Sequence, residues 1–316
     1  MRAAVKAEGV AESGGVTPDN KKKKKFNKTQ LLCWVFVSLP LISYVIFNIY
    51  PVGLSFVSMF TDMKGNRIDT MQWNNFANFG TVFKDPEFWK SVGITLWLAC
   101  AQFVSLFIAL VIANLLEQKI KFSGLFQVLF FIPYICSGVS VGIMWGSIFN
   151  YGDGFLNSLL GTQINWLDNA DYLTWCIFIT IVWQAPGYGI VMYKASLRSV
   201  NPALYEAISL DGANAWHKFR YVTWPAIKPI TLFLLLAGIN TGLATFDICR
   251  ILAPAGVDGI AGIDNMGRSL MYYIYITGTN EYFGHMQIAA VMSWFLFIVQ
   301  FVACFFLIRA RQKAEG

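Results

Sequence analysis

Six long apolar runs constrain the fold of this chain more than any other feature of its sequence. Each is roughly twenty residues or more, the length that an α-helix needs to cross a bilayer, and they occupy about residues 31–60, 92–116, 123–149, 172–195, 227–249 and 286–308. Only 13% of the residues are charged, against roughly 25% in soluble domains. Because a lipid-exposed backbone must satisfy its own hydrogen bonds, we expect an all-α, polytopic membrane protein with six transmembrane helices.

Prolines interrupt several of these runs. Pro40 and Pro51 lie in the first run, Pro133 in the third and Pro186 in the fourth. Proline removes a backbone donor and kinks a helix, and such breaks are tolerated in membranes where helices line a cavity. The sequence therefore predicts a kink or an interfacial end in the first span and breaks in the third and fourth.

The basic residues are distributed unevenly between the two sides that six crossings define. One side holds residues 1–30, the 117–122 turn, the 194–228 segment and the C-terminus, with 18 of the 24 Lys and Arg residues; the other side holds six. Because basic loops stay in the cytoplasm, we expect residues 1–30 to be a basic, disordered cytoplasmic tail, 31–310 a transmembrane domain and 311–316 a cytoplasmic tail. The net charge of +6 then reflects topology, and no nucleic-acid partner is expected.

The chain lacks the sequence patterns of catalytic and metal sites. It contains no GxxxxGK[ST] phosphate-binding loop, nucleophile elbow or HExxH motif. Its six cysteines occur singly in apolar runs, and its two histidines are far apart. We expect no catalytic residue and no metal site, so that pumping would need energy from another subunit or from an ion gradient.

The apolar runs are nearly free of acidic residues, which gradient-driven carriers use to bind a coupling ion. Asp247 is the main exception, and Arg250 follows three residues later. This spacing predicts an ion pair near the membrane interface. The scarcity of carboxylates argues against proton or sodium coupling and favours an external ATPase.

A polar segment, residues 203–225, separates the fourth and fifth apolar runs. Its pattern predicts two short helices, Ala203–Ser209 and Ala213–Tyr221, separated by a break at Asp211–Gly212. Asp211 is a candidate cap for the second helix, and Gly212 can adopt a positive φ. Small residues around the bend leave room for another protein to press against it.

This segment resembles the EAA loop of the membrane subunits of ATP-binding-cassette (ABC) importers. The positions that carry the resemblance are Glu206-Ala207-Ile208, Gly212, Val222 and Trp224-Pro225. Three of these seven differ from the family pattern, each replacing one apolar residue by another. The resemblance extends over nearly all of residues 30–310 and implies the type I ABC importer permease fold, with the loop in the cytoplasm.

Two further segments resemble the carbohydrate branch of these permeases, which serves maltose-type oligosaccharides and glycerol phosphate. They are Phe130–Tyr134 with Gly142 and Trp145, and the TWPAIKP segment at 223–229. After the fifth run the chain has Ala253-Pro254-Ala255-Gly256 where many relatives have a T-x-G-G-P turn. The branch implies a bacterial cytoplasmic membrane, with both termini in the cytoplasm.

The resemblance implies a set of coupling residues and partners. The loop would sit in a cleft of an ATPase dimer that binds ATP and magnesium, while this chain binds no cofactor. The other implied partners are a second homologous permease subunit, an extracytoplasmic solute-binding protein, a carbohydrate substrate and the lipid bilayer. The implied coupling residues are Glu206, Ala207, Asp211, Gly212, Ala213 and Pro225.

The resemblance also implies a substrate pathway on the helices before and after the loop. Its polar and aromatic members can bond to and stack on a sugar, and Trp145 and Trp183 are further candidates. Alternatively, the Asn, Gln and Thr side chains bridge neighbouring helices. The implied pathway residues are Gln184, Ala185, Tyr188, Ala237, Asn240, Thr241 and Ala244.

Three other functions are compatible with a chain of this kind. A gradient-driven secondary carrier would need coupling carboxylates, which the spans lack. A membrane scaffold or assembly factor would tolerate changes in the pathway residues. An importer of a polyol or phosphate ester would want a basic residue in its cavity, and none lies deep in the apolar runs.

Overall fold

The computed structural model describes residues 28–63, 67–118, 120–256, 259–279 and 285–315. The chain divides after Val52 into two compact units. The lysine run at 21–25, and with it nearly all of the predicted basic tail, lies outside the described residues. The predicted C-terminal tail at 311–316 is helical as far as Glu315.

The first unit is helical throughout its described part. Helix α1 spans Lys28–Tyr44 and contains Pro40, a π-helical turn spans Val45–Ile49, and α2 begins at Tyr50 and ends at Ser58. The Tyr50 amide donates to the Val45 carbonyl, five residues back, and Pro51 follows with no amide hydrogen to offer. The irregularity in this predicted span therefore lies beside its second proline.

The second unit contains a short hairpin and thirteen helices among its described residues. Strands β1 (Thr61–Asp62) and β2 (Gln72–Trp73) pair antiparallel, with Thr61 opposite Trp73. The helices are α3 Ala77–Lys84, α4 Pro86–Glu117, α5 Ser123–Ile135, α6 Gly138–Ile148, α7 Phe155–Leu160, α8 Ala170–Gln184, α9 Pro186–Arg198, α10 Pro202–Leu210, α11 Ala215–Lys218, α12 Trp224–Leu243, α13 Asp247–Leu252, α14 Leu270–Thr279 and α15 Met286–Glu315.

Five stretches are long and apolar enough to cross a membrane, and a sixth is a bent pair of helices. The five are 31–58, 86–117, 170–198, 215–252 and 286–309, all overlapping predicted spans. The predicted break in the third span is present: α5 and α6 meet at 98°. The bend falls at Cys136–Ser137 rather than at Pro133, and Ser137 caps α6 by accepting the amide of Ser140. We call this bend the elbow.

The other predicted proline break is mild. Helix α8 ends at Gln184 and α9 begins at Pro186, but Ala185 keeps right-handed helical dihedrals. The two form one membrane-length stretch of 29 residues. Pro186 lies in the first turn of α9. The first amides of a helix have no partner within that helix, so the missing amide hydrogen of proline costs little there.

Helix α4 is the centre of the second unit. It packs against α8, α9, α12 and α14. A row of small residues at four-residue intervals, each no more than 1% exposed, allows this close packing: Ala101, Ser105, Ala109 and Ala113. Small residues let helix backbones approach one another where lipid offers no hydrophobic drive for association.

The two ends of the helical bundle differ in their connections. We call the end with residues 118–122 and 199–223 the loop end, and the end with the β1–β2 hairpin and residues 253–269 the hairpin end. At the loop end, Arg198 pairs with Glu117 at 3.0 Å.

A buried polar cluster joins α4 to the 265–273 segment at the hairpin end. The Arg268 guanidinium is 5% exposed; it pairs with Glu87 at 2.6 Å and lies 3.8 Å from the centre of the Tyr273 ring. The Tyr273 hydroxyl donates to Asp85 at 2.7 Å. Burial raises the pKa of Tyr273, and its bond to Asp85 raises the pKa further, so the phenol keeps its proton at neutral pH.

Candidate functional site

A cavity of about 400 Å³ opens where the broken helices meet. Six of the seven predicted pathway residues line it, together with groups from α4, the elbow and the break between α12 and α13. The lining residues are Gln102, Leu106, Tyr134, Gly138, Ile181, Gln184, Ala185, Tyr188, Gly189, Leu234, Ala237, Gly238, Thr241, Ala244, Thr245, Phe246, Asp247 and Ile248.

Gln184 connects the cavity to the elbow. Its side-chain amide donates to the Cys136 carbonyl at 3.0 Å, satisfying a backbone acceptor that the end of α5 leaves open. Its Oε1 atom makes no hydrogen bond within the described chain and remains an acceptor. Gln184 therefore bridges helices, as the alternative interpretation held, and also presents a polar atom at the cavity wall.

Two stacked tyrosines form one wall of the cavity. The rings of Tyr134 and Tyr188 lie 5.5 Å apart at an angle of 19°. Tyr188 was predicted as a pathway residue, whereas Tyr134 was singled out only as part of the Phe130–Tyr134 motif. Aromatic faces with polar tips suit a ligand that has both C–H faces and hydroxyl groups.

The α12 wall is formed by small and hydroxyl-bearing residues. Ala237, Thr241 and Ala244 recur at intervals of four and three residues and so share one helix face. The Thr241 hydroxyl donates to the Ala237 carbonyl at 2.9 Å, which leaves its oxygen lone pairs as acceptors. The small side chains of the α12 wall therefore leave room for a ligand, and the hydroxyl oxygen of Thr241 can accept hydrogen bonds from it.

Asn240 is not among the residues that line the cavity, and its place in the pathway stays a prediction. Its side chain donates to the Leu236 carbonyl at 3.0 Å and to the Cys304 sulfur of α15 at 3.4 Å. Asn240 lies only about 40° around the helix from Ala244, so helix spacing alone does not distinguish it from the residues that line the cavity. The bond from Asn240 to Cys304 joins α12 to α15, so this side chain bridges two helices, as the alternative interpretation expects.

Asp247 lines the cavity, and the predicted ion pair with Arg250 does not form. The Arg250 guanidinium instead lies 4.9 Å from the centre of the Tyr275 ring. Both residues lie in α13, which begins at Asp247 after α12 has ended at Leu243, so the contact with Tyr275, and not a helix break between the two residues, accounts for the missing pair. The sequence identified Asp247 as an unusual carboxylate but missed its position in the cavity.

The two further pathway candidates, Trp145 and Trp183, do not line the cavity, and neither does the buried Lys194 of α9. Trp145 and Trp183 pack edge to face at 5.7 Å, and the Trp145 indole N–H is buried without a partner among the described residues. Lys194, which is 3% exposed, donates to Gln127 at 2.9 Å at the loop end. These residues belong to helix packing.

The polar segment forms a bent, exposed loop. Helix α10 is capped by Asn201, which accepts the Ala203 amide at 3.0 Å. Gly212 has a φ of +74°, as predicted, which favours glycine at this turn. The predicted cap was wrong: Asn214, not Asp211, accepts the His217 amide and starts α11, while Asp211 closes α10.

The predicted coupling residues are accessible. Glu206 and Ala207 lie on the exposed surface of α10, and Leu210 beside them is 91% exposed. Asp211, Gly212 and Ala213 line a shallow hollow of about 320 Å³. Pro225 does not share that hollow; it is exposed in the first turn of α12.

The loop is joined directly to α12. Helix α11 continues through a π-helical turn at Phe219–Thr223 into Trp224, rather than ending before Pro225 as expected. The Tyr205 hydroxyl on α10 lies 3.0 Å from Thr223 Oγ1. Since α12 then extends to the cavity wall at Ala237 and Thr241, one helix connects the exposed loop to the cavity.

Residues 105–312 match the family model described as "Binding-protein-dependent transport system inner membrane component". The chain belongs to this family. The permease therefore includes several membrane-crossing helices and is a transport component rather than an enzyme. The matched residues include the exposed loop and every residue that lines the cavity except Gln102.

Curated relatives cover most of the permease. The lactose transport system permease protein of Rhizobium radiobacter is 28% identical over 291 residues, which is 89% of this chain and 94% of the relative. The probable starch degradation products transport system permease protein of Thermoanaerobacterium thermosulfurigenes is 29% identical over 299 residues, 93% of this chain and 98% of the relative.

A solved structure has the same fold. It is a chain of a bacterial alginate ABC transporter in complex with an alginate pentasaccharide-bound periplasmic protein. The TM-score is 0.78 over 92% of the permease and 97% of that chain, at 20% sequence identity. The expected type I ABC permease fold is thereby confirmed.

Proposed function

We propose that the permease is the membrane subunit of an ATP-driven carbohydrate importer that transports an oligosaccharide. The observation that carries this proposal is the cavity in which stacked tyrosines, Gln184 and Thr241 combine ring faces with hydrogen-bonding groups. Sugars expose this mixture of C–H faces and hydroxyls, and a groove lined with small residues admits them. Relatives named for lactose and starch degradation products support the substrate class.

We place the exposed loop against a separate ATPase. Exposed apolar residues such as Leu210 and Trp216, beside the hollow at Gly212, provide a docking surface without an occupant in the described chain. Glu206 forms no ion pair within the described chain, and its carboxylate is available for a charge-assisted bond to a basic residue of the ATPase. ATP and magnesium would be bound by that partner.

The proposed cycle is alternating access. Closure of an ATPase dimer on ATP moves the loop, and α12 transmits the movement to the cavity wall, which turns toward sugar delivered by an extracytoplasmic binding protein. Hydrolysis then resets the cavity toward the cytoplasm. A second homologous permease subunit would form the other half of the pathway.

The proposed orientation puts the loop end and both termini in the cytoplasm. Its support is the distribution of basic residues, of which 18 of 24 fall on the side of the loop. The hairpin end then faces the binding protein.

The test is capture of the ATPase by the tagged permease, extracted in detergent from its native membrane. Gly212→Glu should abolish capture, because a glutamate at φ +74° strains the turn and fills the hollow. The matched control is Gly161→Glu, which changes another exposed glycine with a positive φ, +63°, at the hairpin end. It should capture the ATPase as the wild type does.

Two results would contradict the proposal. If the wild type brings down no ATPase, the importer assignment fails. If Gly212→Glu captures as much ATPase as the wild type, docking does not use this loop.

A further inference from the structure

Asp247 is the one charged residue among the described residues that line the cavity. We propose that it makes the cavity selective by charge, admitting neutral saccharides and rejecting anionic ones such as uronates and sugar phosphates. This inference rests on the proposed carbohydrate function and narrows its substrate class. The fold by itself does not determine whether the substrate is neutral or anionic. Another solved ABC transporter with this fold, TM-score 0.70, is described as involved in importing the acidic polysaccharide alginate.

The Asp247 side chain lies where two broken helices meet. Asp247 is the first residue of α13 and Gly138 is the first residue of α6, at the elbow. A Cβ atom on Gly138 would lie 2.9 Å from the Asp247 Cβ and 3.3 Å from its Oδ2. The absence of a side chain at Gly138 therefore provides the space that the carboxylate occupies.

Glycines hold α6 and α13 together around this position. Gly138, Gly142 and Gly146 recur every four residues, and the α6 surface they form packs against α13. A Cβ on Gly142 would lie 2.9 Å from the Ile251 Cβ. The backbone around Asp247 is thus fixed by close helix packing rather than by bonds to its carboxylate.

No cation within the described chain neutralises Asp247. Arg250, the nearest in sequence, stacks on Tyr275, and the buried Lys194 and Arg268 bond to Gln127 and Glu87. An ionisable side chain in a membrane span is costly and is usually retained for a function. The carboxylate is left facing the cavity with its hydrogen-bonding capacity unused.

The chemistry of a free carboxylate determines which ligands the cavity accepts. An ionised aspartate only accepts hydrogen bonds, and its two oxygens can accept from adjacent hydroxyls. Neutral sugars supply such donors in abundance. An anionic group in the same space would meet like-charge repulsion, which discriminates between ligands of otherwise similar shape.

The electrostatic part of the proposal can be tested without knowing the natural sugar. A reporter cysteine, Thr241→Cys, is introduced into the assembled transporter after the six native cysteines are replaced by alanine. Its modification rates are measured with a cationic and with an anionic methanethiosulfonate reagent. Asp247→Asn should lower the cation-to-anion rate ratio by roughly five- to tenfold, the effect of one charge acting over several ångströms in a wet cavity.

Two control variants separate the effect of removing the charge from the effect of disturbing the structure. Asp247→Glu retains the charge and should keep the wild-type ratio. Asp153→Asn removes an exposed carboxylate outside the cavity and should also keep it. An unchanged ratio in Asp247→Asn, or a ratio lowered equally by Asp247→Glu, would overturn the proposal.

The transporter with its native residues distinguishes this proposal from the proposed function. Uptake of lactose and maltotriose is measured in proteoliposomes with the ATPase and binding protein. Failure of both sugars to enter would count against the carbohydrate assignment, whereas the labelling ratio reports on the charge of the cavity in either case. Uptake of lactobionate, the anionic aldonate made by oxidising the reducing end of lactose, at the rate of lactose would overturn the charge selectivity directly.

Discussion

At the scale of single residues, the hairpin end depends on buried polar groups that satisfy one another. Asp85 caps α4 by accepting the Glu87 amide and also accepts the Tyr273 hydroxyl, while Asn265 and Arg268 both donate to Glu87. Removing one member leaves another buried and unpaired, which costs more than the bond itself contributes. The cluster therefore attaches the 265–273 segment to α4 at one defined position.

This cluster predicts a loss of stability at alkaline pH. The folded-state pKa of Tyr273 is raised above its unfolded value, so its contribution is complete below about pH 10 and is lost as the pH rises. Thermal denaturation in detergent between pH 7 and pH 11 should show stability falling above about pH 10. Tyr273→Phe should lose about 1 kcal/mol at neutral pH and fall less steeply.

The exposed Tyr151 provides the control for this measurement. Tyr151→Phe changes a tyrosine at the same end of the molecule and should follow the wild-type profile. An alkaline decline that is as steep in Tyr273→Phe as in the wild type would place its origin elsewhere; Tyr272, whose pKa burial also raises, is the next residue to test.

At the scale of helices, the sequence predicted where the membrane spans lie but not how they break. Apolar length is a local property, so each predicted span overlaps an observed one. The elbow depends on contacts that no local pattern records: Gln184 bonding to the Cys136 carbonyl, and the α6 glycines packing on α13. Pro133 was the visible signal, yet Ser137 and Gly138, a cap followed by a small residue, mark the true start of α6.

The candidate site shows the same difference between local sequence signals, which can be read in advance, and tertiary contacts, which cannot. Resemblance located six cavity residues. Asn240 lies on nearly the same helix face, and its bond to Cys304 of α15 is a tertiary contact that the sequence does not record. Asp247 and Arg250 both lie in α13, so the i,i+3 spacing that predicts an ion pair is kept. The Arg250 guanidinium lies over the ring of Tyr275 instead, and this tertiary contact leaves no local pattern in the sequence.

The packing of α6 on α13 can be tested by adding one methyl group. Gly142→Ala places a Cβ 2.9 Å from Ile251 Cβ and Cγ2 and should lower stability by about 1–3 kcal/mol. Gly93→Ala, in α4, meets nothing within 4 Å in the described chain and should be neutral or stabilising by about 0.5–1 kcal/mol. Both are measured as thermal unfolding of the purified permease.

A second substitution makes the interpretation specific. Ile251→Ala introduced with Gly142→Ala should recover part of the lost stability, because it removes the side chain that the new methyl group meets. A double variant that loses the sum of both single effects would show that the two sites act independently.

At the scale of the whole second unit, one continuous helical stretch joins the loop to the cavity. Helix α12 begins at the π-helical turn, where Tyr205 contacts Thr223, and ends at the cavity wall. The α5 side of the cavity has no buried residue along its helix, which leaves an apolar surface for lipid or for the proposed second subunit. In the proposed cycle, force applied to the loop would reach the cavity wall through α12.

This connection predicts that docking and coupling can be separated. Tyr205→Phe removes only the hydroxyl that meets Thr223 Oγ1, so the loop should still capture the ATPase. Sugar-stimulated ATP hydrolysis should fall roughly fivefold, the equivalent of about 1 kcal/mol for one hydrogen bond. Thr223→Val should have the same effect, and Tyr151→Phe should have none. If Tyr205→Phe hydrolyses ATP at the wild-type stimulated rate, movement passes from the loop to α12 through the backbone of the π-helical turn alone.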